Sequence, residues 1–459
     1  FSKPLMRPVT RGSEYVSPQN NALKHFSRDD VVRDESLMNE TVDYLFDALR
    51  NRLLLENPDV TLKPYKMSEA INGSSDDEYF KRINASTAGG FGFPGKKSDH
   101  LPLQEDGVTR EPSEDVVKRI GEMIDHYHRG ESSGVIFNVA LKDEPVSLKK
   151  FHSGATRLFY VQDLAFLILS RMTLGPIVTL MQQSQAFYCA VGINMFKESG
   201  KIHDTFSSHP FYTEVDAEKF DINAQHYVCQ MRATLIYRLC QEFGYNKEAL
   251  LVLQGVLSDL LNPMLLLNGD LFSKSIIASG HYGTAELNCL LILIMSVYTF
   301  KMAQRDGKID PNLDFFDEIK GEYFGDDQGN SVSEAASEGV NNFSIKYSFG
   351  RQGMKITSSD KSSELDKFVH ISNATFLKRW FRFSKRYNRV LGLLDLNSVC
   401  KMLSKSIYGS NCTPLEHDVS VANSALLEIY QYVCDDGNDC KFDKIRQILI
   451  GVLNSRYGE

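Results

Sequence analysis

The chain has 459 residues and a formal net charge of -8, with 24% charged and 11% aromatic residues. That length exceeds what a single core serves, so two or three lobes are expected; the acidic balance excludes a surface that is basic throughout, though not a basic cleft. Eight scattered cysteines with no CxxC indicate neither a zinc site nor a disulfide framework, and reduced intracellular thiols are expected.

Residues 1 to about 35 are polar and irregular, after which "ESLMNETVDYLFDALRNRLLLE" carries apolar positions at helical spacing. "INASTAGGFGFPGKKSDH", Ile83 to His100, holds five glycines and a proline, which forbids a helix interior. "SEDVVKRIGEMIDHYHRG" predicts a helix with Ser113 at its N-cap, and "GVIFNVALKDEP" a strand entering a charged turn. Val161 to Phe196 reads as core helices, and "FYTEVDAEKFDINAQ" as a strand and turn before the helical "QHYVCQMRATLIYRLCQEF". A small-residue loop, "ASGHYGTAELN", then leads into Leu287 to Phe300, an apolar run too short to cross a bilayer and therefore read as a buried helix. A hairpin at "EYFGDDQGNSV", a helix and strand near Ala335 to Thr357, a basic aromatic segment at 375–389 and a helical C-terminal region complete the pattern. It is mixed α/β without βαβ alternation. The start at Phe1 is compatible with a trimmed fragment or release from a polyprotein.

Three pieces bear on chemistry, and each alone also fits a plain structural role. Asp326 and Asp327 stand in a Gly-bounded tip from which both carboxylates project, although Asp-Asp pairs also occur at residues 29, 76 and 435. Asp216 ends an apolar strand, with Asp221 five residues on. Two Mg²⁺ ions bridging a hydroxyl and a triphosphate need oxygen ligands from separate rigid elements, which Asp216 and Asp326 would supply. The third piece is the glycine loop with Ser279, Gly280, Gly283, Thr284 and Asn288, where the backbone allows close approach to a ligand at a helix start. Upstream, Lys142, Lys149, Lys150 and Arg157 place four cations within sixteen residues, suited to phosphate.

The order D-x4-D, SG-x2-GT-x3-N and aromatic-GDD resembles the RNA-dependent RNA polymerases of the picornavirus-like order, and an invertebrate virus is the expected source. Further segments extend the resemblance. "KDEPVSLKKFHSGATR" looks like the fingers motif that cradles triphosphate, with Lys142, Lys150 and Arg157 matching and Ala155 standing where a Lys is usual. "STAGGFGFPGKK" resembles the template-entrance motif, represented by Ser86 and Thr87. "GMKITSSDKS" resembles the segment whose lysine, here Lys361, acts as a general acid toward pyrophosphate. "FLKRWFRF" resembles the primer grip, Phe376, Leu377, Lys378 and Arg379.

The resemblance implies an α+β right-hand polymerase fold: fingers at 1–205 and 235–268, a palm with an antiparallel sheet backed by helices at 206–234 and 269–375, and a helical thumb at 376–459. It implies template-directed transfer of ribonucleotides to an RNA 3′-hydroxyl. Asp216, Asp326 and Asp327 would serve two Mg²⁺ ions, for which Mn²⁺ can substitute, with Lys361 as fourth catalytic group. Asp221, Asn288 and Ser279 or Thr284 would sense the ribose 2′-hydroxyl, while Gly280 and Gly283 face RNA. Phe324 stands where the family more often has Tyr. The implied partners are RNA template and primer, ribonucleoside triphosphates, a genome-linked protein primer and other viral replication proteins. Work in host-cytoplasmic, membrane-associated complexes, reached through partners because no transmembrane segment is expected, is implied likewise. A reverse transcriptase or an inactive RNA-binding relic are the alternatives.

Overall fold

The apolar run expected as a buried helix is the axis of the core. It lies within the helix Thr284–Arg305, where every residue from Leu287 to Phe300 is buried, as a helix apolar on all sides requires. The structure is a computed structural model describing residues 2–12, 14–24, 31–75, 77–359, 364–404, 412–435 and 439–458. Helices Glu35–Glu56, His226–Glu242, Asn342–Arg351 and Leu164–Gln183 pack around this axis, together with strand Ile319–Phe324. By length and apolarity both Thr284–Arg305 and Leu164–Gln183 could cross a membrane, which the shorter run read from the sequence did not disclose; 83% of each apolar window is buried inside the protein. Helix Leu164–Gln183 contains Pro176, whose missing N–H deprives the Met172 carbonyl of its helical partner. Tyr65 N–H supplies the bond instead, at 2.9 Å.

Two four-stranded sheets flank this helical centre. In the first, Ile356–Thr357, Phe211–Ala217, Asp327–Val332 and Ile319–Phe324 lie in that order, all antiparallel. In the second, Leu158–Val161, Ile136–Leu141, Met264–Leu267 and Asp270–Ser273 are neighbours, with one parallel pairing, Ile136–Asn138 on Met264–Leu266. The hairpin Met264–Ser273 was not foreseen. Ser113 stands at the N-cap of Glu114–His128 as expected, but its hydroxyl makes no capping bond and is buried without a partner among the described residues.

The basic aromatic segment folds as a meander of Thr375–Phe376, Arg379–Ser384 and Arg389–Leu394, although its sequence did not announce strands. Helix Met195–Phe206 lies against it: Ser199 Oγ donates to Val390 O at 3.1 Å, and a Cβ on Gly392 would meet Ser199 Cβ at 3.1 Å. Phe206, Phe376, Tyr212 and Ile202 form a small second core there. Helices Leu396–Ser404, Pro414–Val433 and Asp439–Tyr457 complete the chain.

Candidate active site

Phe324 and Asp327 are directly opposed across the hairpin, leaving Gly325 and Asp326 as a two-residue turn. Gly325 has φ +66°, and glycine at the first central position is what a tight turn of this kind asks for. The tip is gripped from behind by a cysteine that the sequence did not single out. Gly325 N–H donates to Cys289 Sγ at 3.2 Å, and the Cys289 thiol donates to Tyr323 O at 3.2 Å. Tyr323 is buried, its hydroxyl donating to Asn330 Oδ1 at 2.7 Å. The neighbouring strand brings Asp216 opposite Thr357 and Val215 opposite Gln328, so Asp216 stands beside the tip. The proximity registers in the charge state of Asp327: the surrounding cleft and then the charges of Asp326 and Asp216 push its carboxyl up to about 6, against the pull of Lys378.

Glu322, on the same strand, faces helix Met195–Phe206 and accepts from Thr205 Oγ1 at 3.1 Å. Burial pushes its carboxyl up to about 7, opposed by the Thr205 bond and by Lys201. Because the folded value exceeds the unfolded one of 4.5, the folded chain holds the extra proton between them. Stability is therefore expected to fall as pH rises from about 4.5 to about 7, by on the order of 3 kcal/mol, and to level off above. Glu322→Gln should flatten that part of the curve in urea unfolding; a slope that survives the substitution would show that another group is responsible.

Asp221 lies in the first turn of the short helix Phe220–Asn223. Its backbone carbonyl accepts from Ile277 N–H at 2.8 Å, which fastens the segment leading into the glycine loop to the short helix that follows the Asp216 strand. Burial raises the Asp221 carboxyl, the Ser279 hydroxyl and the Asn288 amide hydrogen-bond it, and the charges of Asp326 and Arg157 both reach it. Asn288 Nδ2 donates to Asp221 Oδ1 at 3.5 Å. Of the two hydroxyls left open by the sequence, Ser279 joins Asp221, whereas Thr284 braces the loop, donating to His281 O at 2.7 Å and accepting from Gly280 N at 3.3 Å. Gly280 has φ +116°, and a Cβ there would sit 2.4 Å from Tyr160 O; Gly283, φ +75°, caps the core helix.

The strand Leu158–Val161 touched by this loop comes directly after Arg157. Arg157 and Lys142 share one carboxylate, Glu144, at 3.7 and 3.6 Å, and Lys142 N–H donates to Arg157 O at 2.8 Å. Lys150 stands exposed on the helix Leu148–Ser153, which Ser147 caps. Ser86 and Thr87 are exposed in a loop held from beneath by Lys97, a buried cation bonded to Thr87 Oγ1 and to Ala88 O at 2.8 Å.

Two residues expected to grip RNA do not face outward. Phe376 is 3% exposed and packs edge-on against Phe206, because alternation along its short strand turns it into the second core. Arg379 makes a bidentate pair with Glu428, at 2.8 and 2.5 Å, and donates to Gly392 O at 2.7 Å; its side chain is 11% exposed. Leu377 and Lys378 form the turn between them, with φ +52° and +60°. Such values are uncommon outside glycine, and the turn directs the Lys378 charge toward Asp327. Lys361 lies outside the described residues.

Gln328 comes immediately after Asp327 and is buried, yet among the described residues neither of its amide atoms has a hydrogen-bond partner; the same holds for Asn342 Nδ2. Both line a cavity of about 780 Å³ that Asp216, Asp327, Glu214 and Lys378 also line. Buried polar groups are normally satisfied, so this cavity has the character of a site completed by a polar occupant.

The sequence profile described as Viral RNA-dependent RNA polymerase matches residues 3–430. The replicase polyprotein of Drosophila C virus is 23% identical over 98% of this chain, and that of cricket paralysis virus 23% identical over 88%. The genome polyprotein of human parechovirus 2 is 24% identical over 73% of the chain. The chain spans only 26%, 24% and 14% of these three polyproteins. A solved structure, the Sicinivirus 3Dpol RNA dependent RNA polymerase, superposes with a TM-score of 0.77, covering 99% of this chain and 92% of that one at 16% identity. That likeness establishes the right-hand polymerase fold. With the profile running through nearly all of its length, the chain belongs to the viral RNA-dependent RNA polymerase family.

Proposed function

We propose that this chain copies RNA by template-directed transfer of ribonucleotides: a primer 3′-oxygen bonds to the α-phosphorus of a ribonucleoside triphosphate, and the bond to the leaving pyrophosphate breaks. The observation that carries this reading is the convergence of Asp216, Asp326 and Asp327 from two strands, close enough for Asp326 and Asp216 to raise the carboxyl of Asp327.

Three mutually repelling carboxylates on neighbouring strands and their turn fit a divalent pair. Among the described residues no group of three His, Cys, Asp or Glu side chains is placed to hold an ion by itself; Mg²⁺ commonly completes its shell with water and substrate phosphate. Asp216 and Asp326 would hold the ions, with Asp327 in a weaker or indirect contact. When bound, they activate the attacking hydroxyl and neutralise charge on the leaving group.

The remaining work falls to the chain's own residues. Arg157 and Lys142 would exchange Glu144 for triphosphate, a stronger bidentate acceptor. Asp221, Ser279 and Asn288 present acceptor and donor groups to a 2′-hydroxyl, and a nucleotide lacking that hydroxyl leaves them unpaired. Lys378 offers a cation near the carboxylates for backbone phosphate. The polyprotein setting of the relatives supports work alongside other viral proteins; a protein primer, and host-cytoplasmic complexes bound to membranes through partners, are part of this proposal on the family resemblance alone.

The test is elongation of a defined RNA primer on an RNA template. Ribonucleotides with Mg²⁺ should extend it, chelation should stop it, and deoxyribonucleotides should be disfavoured by roughly 100-fold or more. Preference for deoxyribonucleotides would establish a reverse transcriptase instead, and RNA binding without extension would establish an inactive relic.

A further inference from the structure

One buried cation stands behind the ribose-facing network and belongs to none of the motifs. Arg232, on helix His226–Glu242, is 6% exposed and sits among Val228, Cys229, Leu235 and Ile236. Burial lowers its pKa, opposed by Cys229 and Asp221. No carboxylate forms a salt bridge with it among the described residues. Its Nη1 donates instead to Leu287 O at 3.2 Å and to Asn288 Oδ1 at 3.5 Å. A buried guanidinium is costly to keep, and its two acceptors lie at the foot of the core helix, one of them the side chain that reaches Asp221.

The chemistry of the two groups fixes which way the amide lies. A guanidinium only donates, and a carboxamide has one accepting and one donating end. With Arg232 on one side, Asn288 must turn its oxygen toward the cation and its Nδ2 toward Asp221, which it meets at 3.5 Å. Reversing the amide would set a donor against a donor and an oxygen against a carboxylate. Both Asn288 contacts are long, as polar contacts in unliganded sites often are before substrate tightens them.

We propose that Arg232 is a positioning residue for sugar selection: by fixing the orientation of Asn288, it keeps the amide donor and the Asp221 acceptor presented together to the ribose 2′-hydroxyl. This rests on the proposed polymerase activity and deepens it, since Arg232 itself touches no substrate. A residue acting through Asn288 changes discrimination between sugars, whereas one that merely supports the fold lowers both activities together.

The experiment measures kcat/KM for a ribonucleotide and for the matching deoxyribonucleotide on one primer-template, in the full chain. Arg232→Met fills similar volume with no donor and should lower the ribo-to-deoxyribo ratio roughly ten-fold, the effect of one hydrogen bond. Arg232→Gln, polar but too short to meet both oxygens, should lower it in the same direction, so the inference does not hang on one variant folding. Arg232→Lys keeps a donor on a shorter stem and should lower the ratio less than Arg232→Met does. In an Asn288→Ala background, Arg232→Met or Arg232→Gln should leave the ratio unchanged. A ratio unaltered by both variants in the parent background, or an undiminished further loss without Asn288, overturns the role of Arg232 while leaving the polymerase reading intact. Failure of the parent chain to extend any primer would overturn both.

Discussion

Asp326→Asn is expected to lower elongation by roughly a thousand-fold or more, about 4 kcal/mol of transition-state stabilisation, without lowering thermal stability. The two effects separate because of where the residue stands. Asp326 is exposed at the second position of a two-residue turn, which the strand ladder and Cys289 hold from behind. Asn keeps the size and shape of the side chain while removing one of three crowded negative charges. The carboxyl of Asp327, raised in part by Asp326, should then move down toward the ordinary range. Unfolding temperature should stay level or rise, while steady-state extension with Mg²⁺ falls to the detection limit. Extension at the parental rate would remove Asp326 from the chemistry, and a large loss of stability would make it a structural residue.

Breaking the Arg379–Glu428 pair should damage the fold rather than the chemistry. Both side chains are nearly excluded from solvent, at 11% and 5% exposure, and the pair is bidentate. It fastens the meander to helix Pro414–Val433. Removing either partner alone leaves a buried charge without its counter-ion, at a cost of roughly 3 to 5 kcal/mol, whereas replacing both by apolar groups of similar volume is expected to recover most of that. Urea unfolding of Arg379→Met, Glu428→Gln and Arg379→Met with Glu428→Leu checks the pattern. If Arg379 served RNA instead, Glu428→Gln would release it for binding: RNA affinity would rise and become more salt-dependent, with little change in stability.

The hairpin, the strand ending near Asp216, the glycine loop and the core helix were legible because each is written in local terms. A glycine at a tight turn, alternation over a strand and an unbroken apolar run all act within a few residues. The same locality explains what could not be read. "FLKRWFRF" shows aromatic and basic residues alternating, and nothing in it says which side meets RNA. The small core around Phe206 took Phe376, and Glu428, 49 residues on, took Arg379. The distance between an arginine and its eventual carboxylate is set by how the meander stacks on a distant helix. Cys289 and Arg232 were invisible for a related reason. Each occurs inside an ordinary helical pattern, and their partners come from the hairpin tip and from another helix.

By itself, then, the sequence determined the core helix, the Asp326–Asp327 hairpin, the family resemblance and which carboxylates are candidates for divalent ions, since turn chemistry, periodicity and residue type are local properties. Only the tertiary structure decided which charges meet. It set Asp216 beside the Asp326 tip through strand register, joined Asp221 to Ser279 while leaving Thr284 to brace the loop, and gave Glu144 to Arg157 and Lys142. Electrostatic and hydrogen-bonding roles depend on distances of a few ångströms between residues far apart in the chain, and those distances come into being only when the core closes.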